Sequence, residues 1–424
     1  MAYSLDALHI DSAFEAEDIY DVNFQMKPNA HSVLSVVCSV KGNGRMESLV
    51  RNLQGKRFNL LTYAEEQKKL LFSGIIKACK AVNSYKINTM NLRVLGWTIM
   101  LDQVRRTKLF QDGESTCQAV FDNIMWEYSE KTIFNKEDTP IKNLLFQYKE
   151  TDWQFLKRVS GLRGGVLVPL CRENGMRLCY GLPRSAKEIV LKEDFYASGH
   201  RLIDKGAEYC IEGMYHDFSS DEEYELGTVV GRNGSSFVIC EKAAKTSGAE
   251  LIFYYRVCRE ESIKTNKFYN EEIRGLVVSG EVTDRKGERI FVKFPMDSGL
   301  ERKRYGFEWL PITGNILYCM PEIGSKVKIY FGNRDEGKNV FALECEGGGC
   351  ASNEVKGLIT KDHKAVLLKD NGVELRAGNQ VRLSGETIVF GSSDLLSMTA
   401  GKKVEIRSEM VEINACKDIS IQKK

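Results

Sequence analysis

Residues 371–424 read NGVELRAGNQVRLSGETIVFGSSDLLSMTAGKKVEIRSEMVEINACKDISIQKK, and this stretch decides the fold. Apolar pairs recur along it: Val373/Leu375, Val381/Leu383, Ile388/Phe390, Leu396/Met398, Val404/Ile406, Val411/Ile413 and Ile419/Ile421, starting 8, 7, 8, 8, 7 and 8 residues apart. Turn residues stand between them, at Asn371-Gly372, Gly378-Asn379, Gly385, Gly391 and Gly401. Each unit predicts a short strand followed by a tight turn. Units repeating at a near-constant period form a repeat architecture, in which one copy cannot bury its own apolar side. The pattern therefore needs further copies to close an interior and pair the edges. Three identical chains wound round one axis would do both. The rival is a parallel β-helix made from one chain, whose turn takes about 20 or more residues, close to three of these units. At ~4.8 Å per repeat, the intertwined form predicts a needle on the order of 35–40 Å long.

Composition changes where this region begins. Of 20 Phe, 4 Trp and 17 Tyr, only Phe390 lies beyond Cys345, and Pro321 is the last of the 7 prolines. A segment without proline or bulky rings suits an uninterrupted ladder around a narrow interior. Glu346-Gly347-Gly348-Gly349 reads as a flexible joint before it. The predicted boundaries are thus a Gly-rich joint at 346–356 and a needle at 357–424.

Upstream, strands dominate. Ile87-x-x-Met90-x-Leu92-x-Val94 alternates, and Arg232-Asn233-Gly234 marks a hairpin between Thr228–Val230 and Phe237–Cys240. Two capping boxes predict helices near 115–128 and 151–163. Ser115-Thr116-Cys117-Gln118 leads into Val120, Phe121, Ile124, Met125 and Tyr128; Thr151-Asp152-Trp153-Gln154 leads into Phe155, Leu156, Val159 and Leu162, with Gly164-Gly165 as the stop. The strands expected at Gly275–Val282, Glu288–Phe294, Gly324–Phe331 and Asn339–Leu343 suit a small closed barrel at 273–345.

The charge balance, 60 Lys+Arg against 58 Asp+Glu in 424 residues, advertises neither a nucleic-acid nor a membrane partner. The apolar stretch Ser32 to Val40 is too short to span a bilayer. Met1 to Ile10 lacks the pattern of a signal peptide, so synthesis in the cytoplasm is expected. Twelve scattered cysteines read as free thiols.

Candidate chemistry is sparse. Gly332-Asn333-Arg334-Asp335-Glu336-Gly337-Lys338-Asn339 nearly spells a phosphate loop, but Asn339 replaces the Mg²⁺-binding hydroxyl and the loop joins two strands. Arg302-Lys303-Arg304 is a short charge run, and no nucleic-acid binding is expected from it. Cys345 and Cys350 lack the two further ligands zinc needs. His216-Asp217 with Ser219 and Ser220 reads as a loop rather than a triad, and Asp221-Glu222-Glu223 as a solvated turn. No catalytic, cofactor-binding or metal residue is assigned.

The order of motifs resembles the VgrG family of spike proteins and the related phage baseplate hub and spike proteins. The matching features are Gly55 onward with Phe72-Ser73-Gly74-Ile75-Ile76, then Leu101 to Arg105 and Leu109-Phe110-Gln111. Glu150-Thr151-Asp152-Trp153-Gln154-Phe155-Leu156-Lys157-Arg158 is similar to the family's "ESDWxFLxR" helix. Arg289-Ile290-Phe291-Val292-Lys293-Phe294-Pro295, Trp309-Leu310-Pro311 and Pro321-Glu322-Ile323-Gly324-Ser325-Lys326-Val327 resemble its OB-type barrel. The octad tail is the fourth match.

The resemblance implies a mainly β chain. Residues 1–270 would form two barrel-like hub domains with a few helices, 273–345 an OB-fold barrel, and the tail an intertwined trimeric β-helix. It implies a non-enzymatic hub and membrane-piercing spike of a phage tail, a phage-derived bacteriocin or a type VI-like secretion system. The partners would be a hexameric tail tube protein, baseplate proteins and, only transiently, the target membrane; delivery is extracellular on contraction. The fourteen members of the seven apolar pairs would form the trimer core. Two departures stand out. No room is left after Leu343 for the lysozyme domain some phage relatives carry. The tail also ends without the metal-binding His-x-His of many phage spikes, which implies a separate PAAR-like cap on Ile419, Ile421, Gln422, Lys423 and Lys424. A peptidoglycan-degrading tail enzyme and a receptor-binding fibre are the alternatives.

Overall fold

Alternation at Met90, Leu92 and Val94 places all three in one buried core, because successive strand side chains point to opposite faces. The computed structural model describes residues 3–41, 46–64, 67–84, 87–192, 194–201, 209–299, 303–311, 319–346, 355–360, 362 and 364–422. The chain divides into two compact units, 1–347 and 348–424. The joint residues Gly347, Gly348 and Gly349, with Cys350, lie outside the described residues.

In the first unit the described residues form a thirteen-stranded sheet. Its continuous path runs Ala197–Arg201, Gly213–Ser220, Glu250–Cys258, Ser235–Ser247, Ala16–Met26, Val33–Val40, Ile87–Gly96, Gln67–Ser84, Arg57–Ala64 and Leu8–Ser12. The antiparallel pairing of Lys242 with Met26 and Lys245 with Asn23 joins the early strands to the late ones. The hairpin at Asn233-Gly234 is present, with both residues at positive φ (47° and 74°), the conformation its two-residue turn requires. The inner face buries Phe24, Phe58, Phe72, Phe253 and Tyr255.

A second core gathers around two helices, Cys117–Trp126 and Asp152–Gly161. Thr151 caps the latter through a reciprocal capping box with Gln154. The earlier helix corrects the box expected at Ser115/Gln118. Its cap is Thr116, whose side chain accepts from the Ala119 amide at 3.2 Å, one residue later than the pattern suggested. Thr116 can cap because its backbone is still extended (φ −95°, ψ 167°).

The third core fills a closed barrel of five strands: Leu276–Lys286, Arg289–Lys293, Gly306–Trp309, Val340–Glu346 and Lys326–Phe331, in that spatial order. The strands Gly306–Trp309 and Val340–Glu346 pair in parallel and the remaining neighbours antiparallel. The near-phosphate loop 332–339 is the hairpin between Lys326–Phe331 and Val340–Glu346.

The second unit holds one three-stranded sheet, Lys356–Ile359, Ala365–Lys369 and Gly372–Arg376. From 377 to 422 the described residues form no strand within this chain. A strand needs a partner backbone, and this segment has none of its own.

The residues expected to form the needle core are accordingly not a core within one chain. Val373, Leu375, Val381, Leu383, Ile388, Phe390, Leu396, Met398, Val404, Ile406, Val411, Ile413, Ile419 and Ile421 are all exposed. The expectation concerned a core shared by three chains, and within one chain the exposure has a geometric reason. Val373 and Leu375 lie on the edge strand Gly372–Arg376, which pairs on one side only, with Ala365–Lys369. The other twelve, Leu383, Met398 and Ile413 among them, lie in the strandless stretch, where no layer of this chain covers them. Only Ala365 and Leu367 are buried among the described residues of this unit.

Candidate assembly surfaces

Two of the family-like motifs, Leu109-Phe110-Gln111 and the helix Asp152–Gly161, meet at the seam between barrel and helical layer. Leu109 enters the barrel core while its neighbour Phe110 enters the helical core and stacks on Phe155 at 5.3 Å. The Leu109 amide donates to the Met296 carbonyl at 2.9 Å, and Gln111 donates to the Val292 carbonyl at 3.0 Å and to Asp297 at 2.6 Å. Strand alternation, carried through Leu109-Phe110-Gln111, is what lets three consecutive residues serve two cores.

Arg158 locks the same seam. It lies on the helix Asp152–Gly161, is 3% exposed, and donates to Glu150 at 2.8–2.9 Å, to the Phe146 carbonyl at 2.8 Å and to Glu336 of the barrel hairpin. Burial works against its charge, but Glu336 and Glu150 outweigh that and hold it protonated. Arg158 is thus a buried ion-pair clamp between the helix Asp152–Gly161 and the barrel hairpin. Asp152 is the first helical residue after the Thr151 cap. Its oxygens accept from Tyr128 at 2.6 Å and Gln147 at 2.8 Å, and Arg106 stands 3.2 Å away. Burial, then Asp152, pushes the Tyr128 hydroxyl well above its ordinary range. Trp153 packs in the helical core against His31, ring centres 4.3 Å apart.

The turn expected to be solvated at Asp221-Glu222-Glu223 is exposed at Asp221 and Glu222 but not at Glu223. The Glu223 side chain is 0% exposed; it meets Lys242 at 2.6 Å, Lys69 at 2.8 Å and Arg172 at 3.8 Å. Burial would raise its pKa, but Lys242, Arg172 and Lys69 outweigh this and hold it at about 2. The signal was present in the strand itself: Cys240, Lys242 and Ala244 share the inward phase, so a lysine there needs an anion.

The remaining chemical candidates fall apart as sites. The His216 ring sits 2.7 Å from the Ser198 hydroxyl, stacks on Phe195, and is lowered in pKa by burial. Asp217, its neighbour on the strand, instead accepts two bonds from Arg256 at 2.8 and 3.0 Å. Adjacent strand residues face opposite ways, so Asp217 does not back the histidine. Ser220 accepts from the Glu222 amide in the turn at 3.0 Å. Lys303 pairs with Glu114 at 3.0 Å and Arg304 donates to Thr283, while Arg302 is outside the described residues. Cys345 is exposed. Among the described residues no three His, Cys, Asp or Glu side chains gather to hold a metal, and no helix is long and apolar enough to cross a membrane.

The second unit carries an exposed apolar ladder. In the single chain its fourteen pair members are 46–92% exposed, from Ile388 at the low end to Ile421 at the high end. Leu375, Leu383, Met398 and Ile413, the second members of their pairs, are exposed like the first members beside them. Val389, Leu395 and Met410 are also exposed, so exposure alone does not choose the inner set. The charges are more informative. Glu405 pairs with both Lys403 and Arg407, which puts these three on one side of the extended chain and Val404 and Ile406 on the other. Gln422 is exposed, and Lys423 and Lys424 lie outside the described residues.

No family model matches the chain, and no curated protein matches it in sequence. Solved structures do match. The E. coli c3393 protein, a component of the type VI secretion system with structural similarity to the T4 bacteriophage tail proteins gp27 and gp5, superposes with a TM-score of 0.56 at 12% identity, covering 79% of this chain and 99% of that one. The Francisella PdpA-VgrG complex matches in its half-lidded form with a TM-score of 0.51 at 7% identity, over 87% of this chain and 83% of that one. Its lidded form matches with 0.51 at 7% identity, over 84% and 72%. The mainly β architecture of this chain is thus the fold of VgrG-like and phage-tail proteins.

Proposed function

We propose, from a chain that shares the fold of type VI and phage-tail spike components, that it is the homotrimeric hub and spike of a contractile injection apparatus. Residues 1–270 form the hub that meets a hexameric tail tube protein and baseplate proteins. Residues 273–345 are an OB-type connector, and 357–424 an intertwined β-helix needle. The work is mechanical and no bond is made or broken. The protein is made in the cytoplasm, assembled into a particle and delivered extracellularly, touching the target membrane only in passage.

The observation that carries this reading is the exposed ladder. Seven apolar pairs stay wet in one chain, and burying a Val or Ile side chain is worth about 1.5–3 kcal/mol. Beyond Arg376 their described backbone joins no sheet of this chain either, and such a surface is an aggregation hazard unless other copies cover it. Sedimentation of the isolated protein is expected to give three times 48.0 kDa. A chain ending at Gly348 should sediment far closer to monomer with its barrels intact. A stable folded monomer of the full chain overturns the reading, and equally tight trimers of the shortened one overturn the placement of the interface.

The needle end leaves Ile419 and Ile421 exposed, and a small cone-shaped PAAR-like partner seated there would cover three copies of each. Assembled particles should show an additional polypeptide at the tip, contacting residues 419–424. Particles fully active without one would leave Lys423 and Lys424 as the edge protection and remove the cap from the proposal.

A further inference from the structure

Two thiols in the large sheet stand in contact without being bonded. Cys240, on strand Ser235–Ser247, and Cys258, on Glu250–Cys258, have sulfurs 3.5 Å apart, and both residues are 0% exposed. A β-bulge creates the approach. Ile239 pairs with Val257 and Glu241 with Arg256, so Cys240 is the extra residue between them. A bulge of this kind turns two successive side chains toward one face, and Ile239 and Cys240 are indeed both fully buried. Cys258 ends the opposing strand in register with Val238, one step from the bulge. The Cys240 sulfur also lies 3.3 Å from the Arg256 carbonyl, which fixes its rotamer toward that strand.

We propose that Cys240 and Cys258 are a latent disulfide that closes when the protein meets a disulfide-type oxidant, stapling the bulge of one strand to the end of its neighbour. A bonded pair needs sulfurs about 2.05 Å apart, so closure asks for an approach of only about 1.5 Å. In the exchange, one cysteine loses its proton and attacks an oxidised glutathione, forming a mixed disulfide and releasing one glutathione thiol. The second cysteine loses its proton and displaces the second glutathione. Two electrons pass from the protein thiols to the oxidant, and the protons end on the two released thiols.

Burial decides when this happens. It pushes the Cys240 thiol well above its ordinary pKa, so that thiol stays protonated and unreactive while the sheet is closed. Reaction therefore awaits opening of the bulge or the folding of a fresh chain. Closing a loop of this length restricts the unfolded chain, so the oxidised form resists unfolding. The inference needs only the sheet geometry and stands apart from the assembly reading.

The test uses the full chain in two arms. One is incubated folded with oxidised glutathione, the other refolded from urea in a glutathione redox buffer. Both are then denatured, alkylated and mapped by mass spectrometry. A peptide pair linked through Cys240 and Cys258, about 2 Da lighter than the two reduced peptides together because two thiol protons are lost, is expected in the refolded arm and more slowly in the folded one. Exposed Cys319 and Cys345 should not join that link. The linked protein should melt several degrees higher than the reduced protein, a rise that dithiothreitol reverses and Cys258→Ala lacks. Both cysteines remaining alkylatable in both arms would overturn the proposal. So would cross-links of Cys240 to another partner, or an equal thermal shift in Cys258→Ala.

Discussion

Replacing Ile406 by lysine is expected to leave the chain monomeric in solution while residues 1–347 melt at an unchanged temperature. Ile406 is 72% exposed in the single chain and lies across the extended backbone from the Lys403–Glu405–Arg407 ion pairs. In a three-chain needle its side chain would therefore point to the axis. The substitution removes three buried isoleucines, each worth about 1.5–3 kcal/mol, and sets three ammonium groups around one axis. Charge repulsion and the absence of any buried anion make the interior intolerant of them. The first unit has its own cores and does not depend on this residue. Sedimentation and calorimetry read the two parts separately. Trimers of wild-type strength would mean that Ile406 faces solvent and that the inward phase is shifted by one residue, with Val389, Leu395 and Met410 among the residues turned inside.

The second large effect concerns the buried carboxylate. Glu223→Gln should destabilise the first unit by about 3–5 kcal/mol, because it strands the Lys242 ammonium in the core. That ammonium rests 5.3 Å from the Phe253 ring centre and 5.8 Å from that of Phe24, with Glu223 as its closest anion. The expected fall in Tm is on the order of 5–10 °C for a unit of this size. The pH dependence carries a sign. The folded pKa of Glu223, about 2, lies below its unfolded value, so its contribution is full above the unfolded pKa and is lost as pH falls toward 2. That difference amounts to about 3 kcal/mol disappearing between roughly pH 4.5 and 2. Wild type should therefore lose stability steeply in that window, and Glu223→Gln should show a flatter acid limb from a lower plateau. Glu223→Gln combined with Lys242→Met should recover part of the loss, since a buried pair replaced by apolar groups is often tolerated. An unchanged Tm together with an unchanged acid limb would show that Glu223 carries no such charge.

Much of the fold was legible because it rests on local periodicity. Alternation at 87–94 and the Asn-Gly turn at 233–234 both report the backbone geometry of a few adjacent residues. The capping box at Thr151 does the same for a helix start. The cap at 116 was misplaced by one residue because Ser115 and Thr116 have the same chemistry. Only the extended backbone at Thr116 decides between them. The ionic sites were less legible. Arg158 and Glu336 are 178 residues apart, and Glu223 gathers partners from positions 69, 172 and 242. Glu223 looked solvated in its own neighbourhood, since charged residues in turns usually are.

By itself, then, the sequence determined the strand-rich character, the two helices, the small barrel and the octad tail, because period and turn chemistry act over fewer than about ten residues. The same period names Leu375, Leu383, Met398 and Ile413 as apolar partners of their neighbours, but a period cannot bury them, and one chain leaves them exposed. Tertiary structure alone decided which strands neighbour one another, and it did so by joining Ser235–Ser247 to Ala16–Met26 across more than half the chain. That pairing brings Lys242 to Phe24, while the adjoining pair of strands brings Cys240 to Cys258. It also turned family-like motifs into a seam, by packing Leu109 and Phe110 into different cores and closing Arg158 on Glu336. Burial and the partners that it brings together are properties of the whole packed chain, and they give an ordinary glutamate or cysteine a changed pKa.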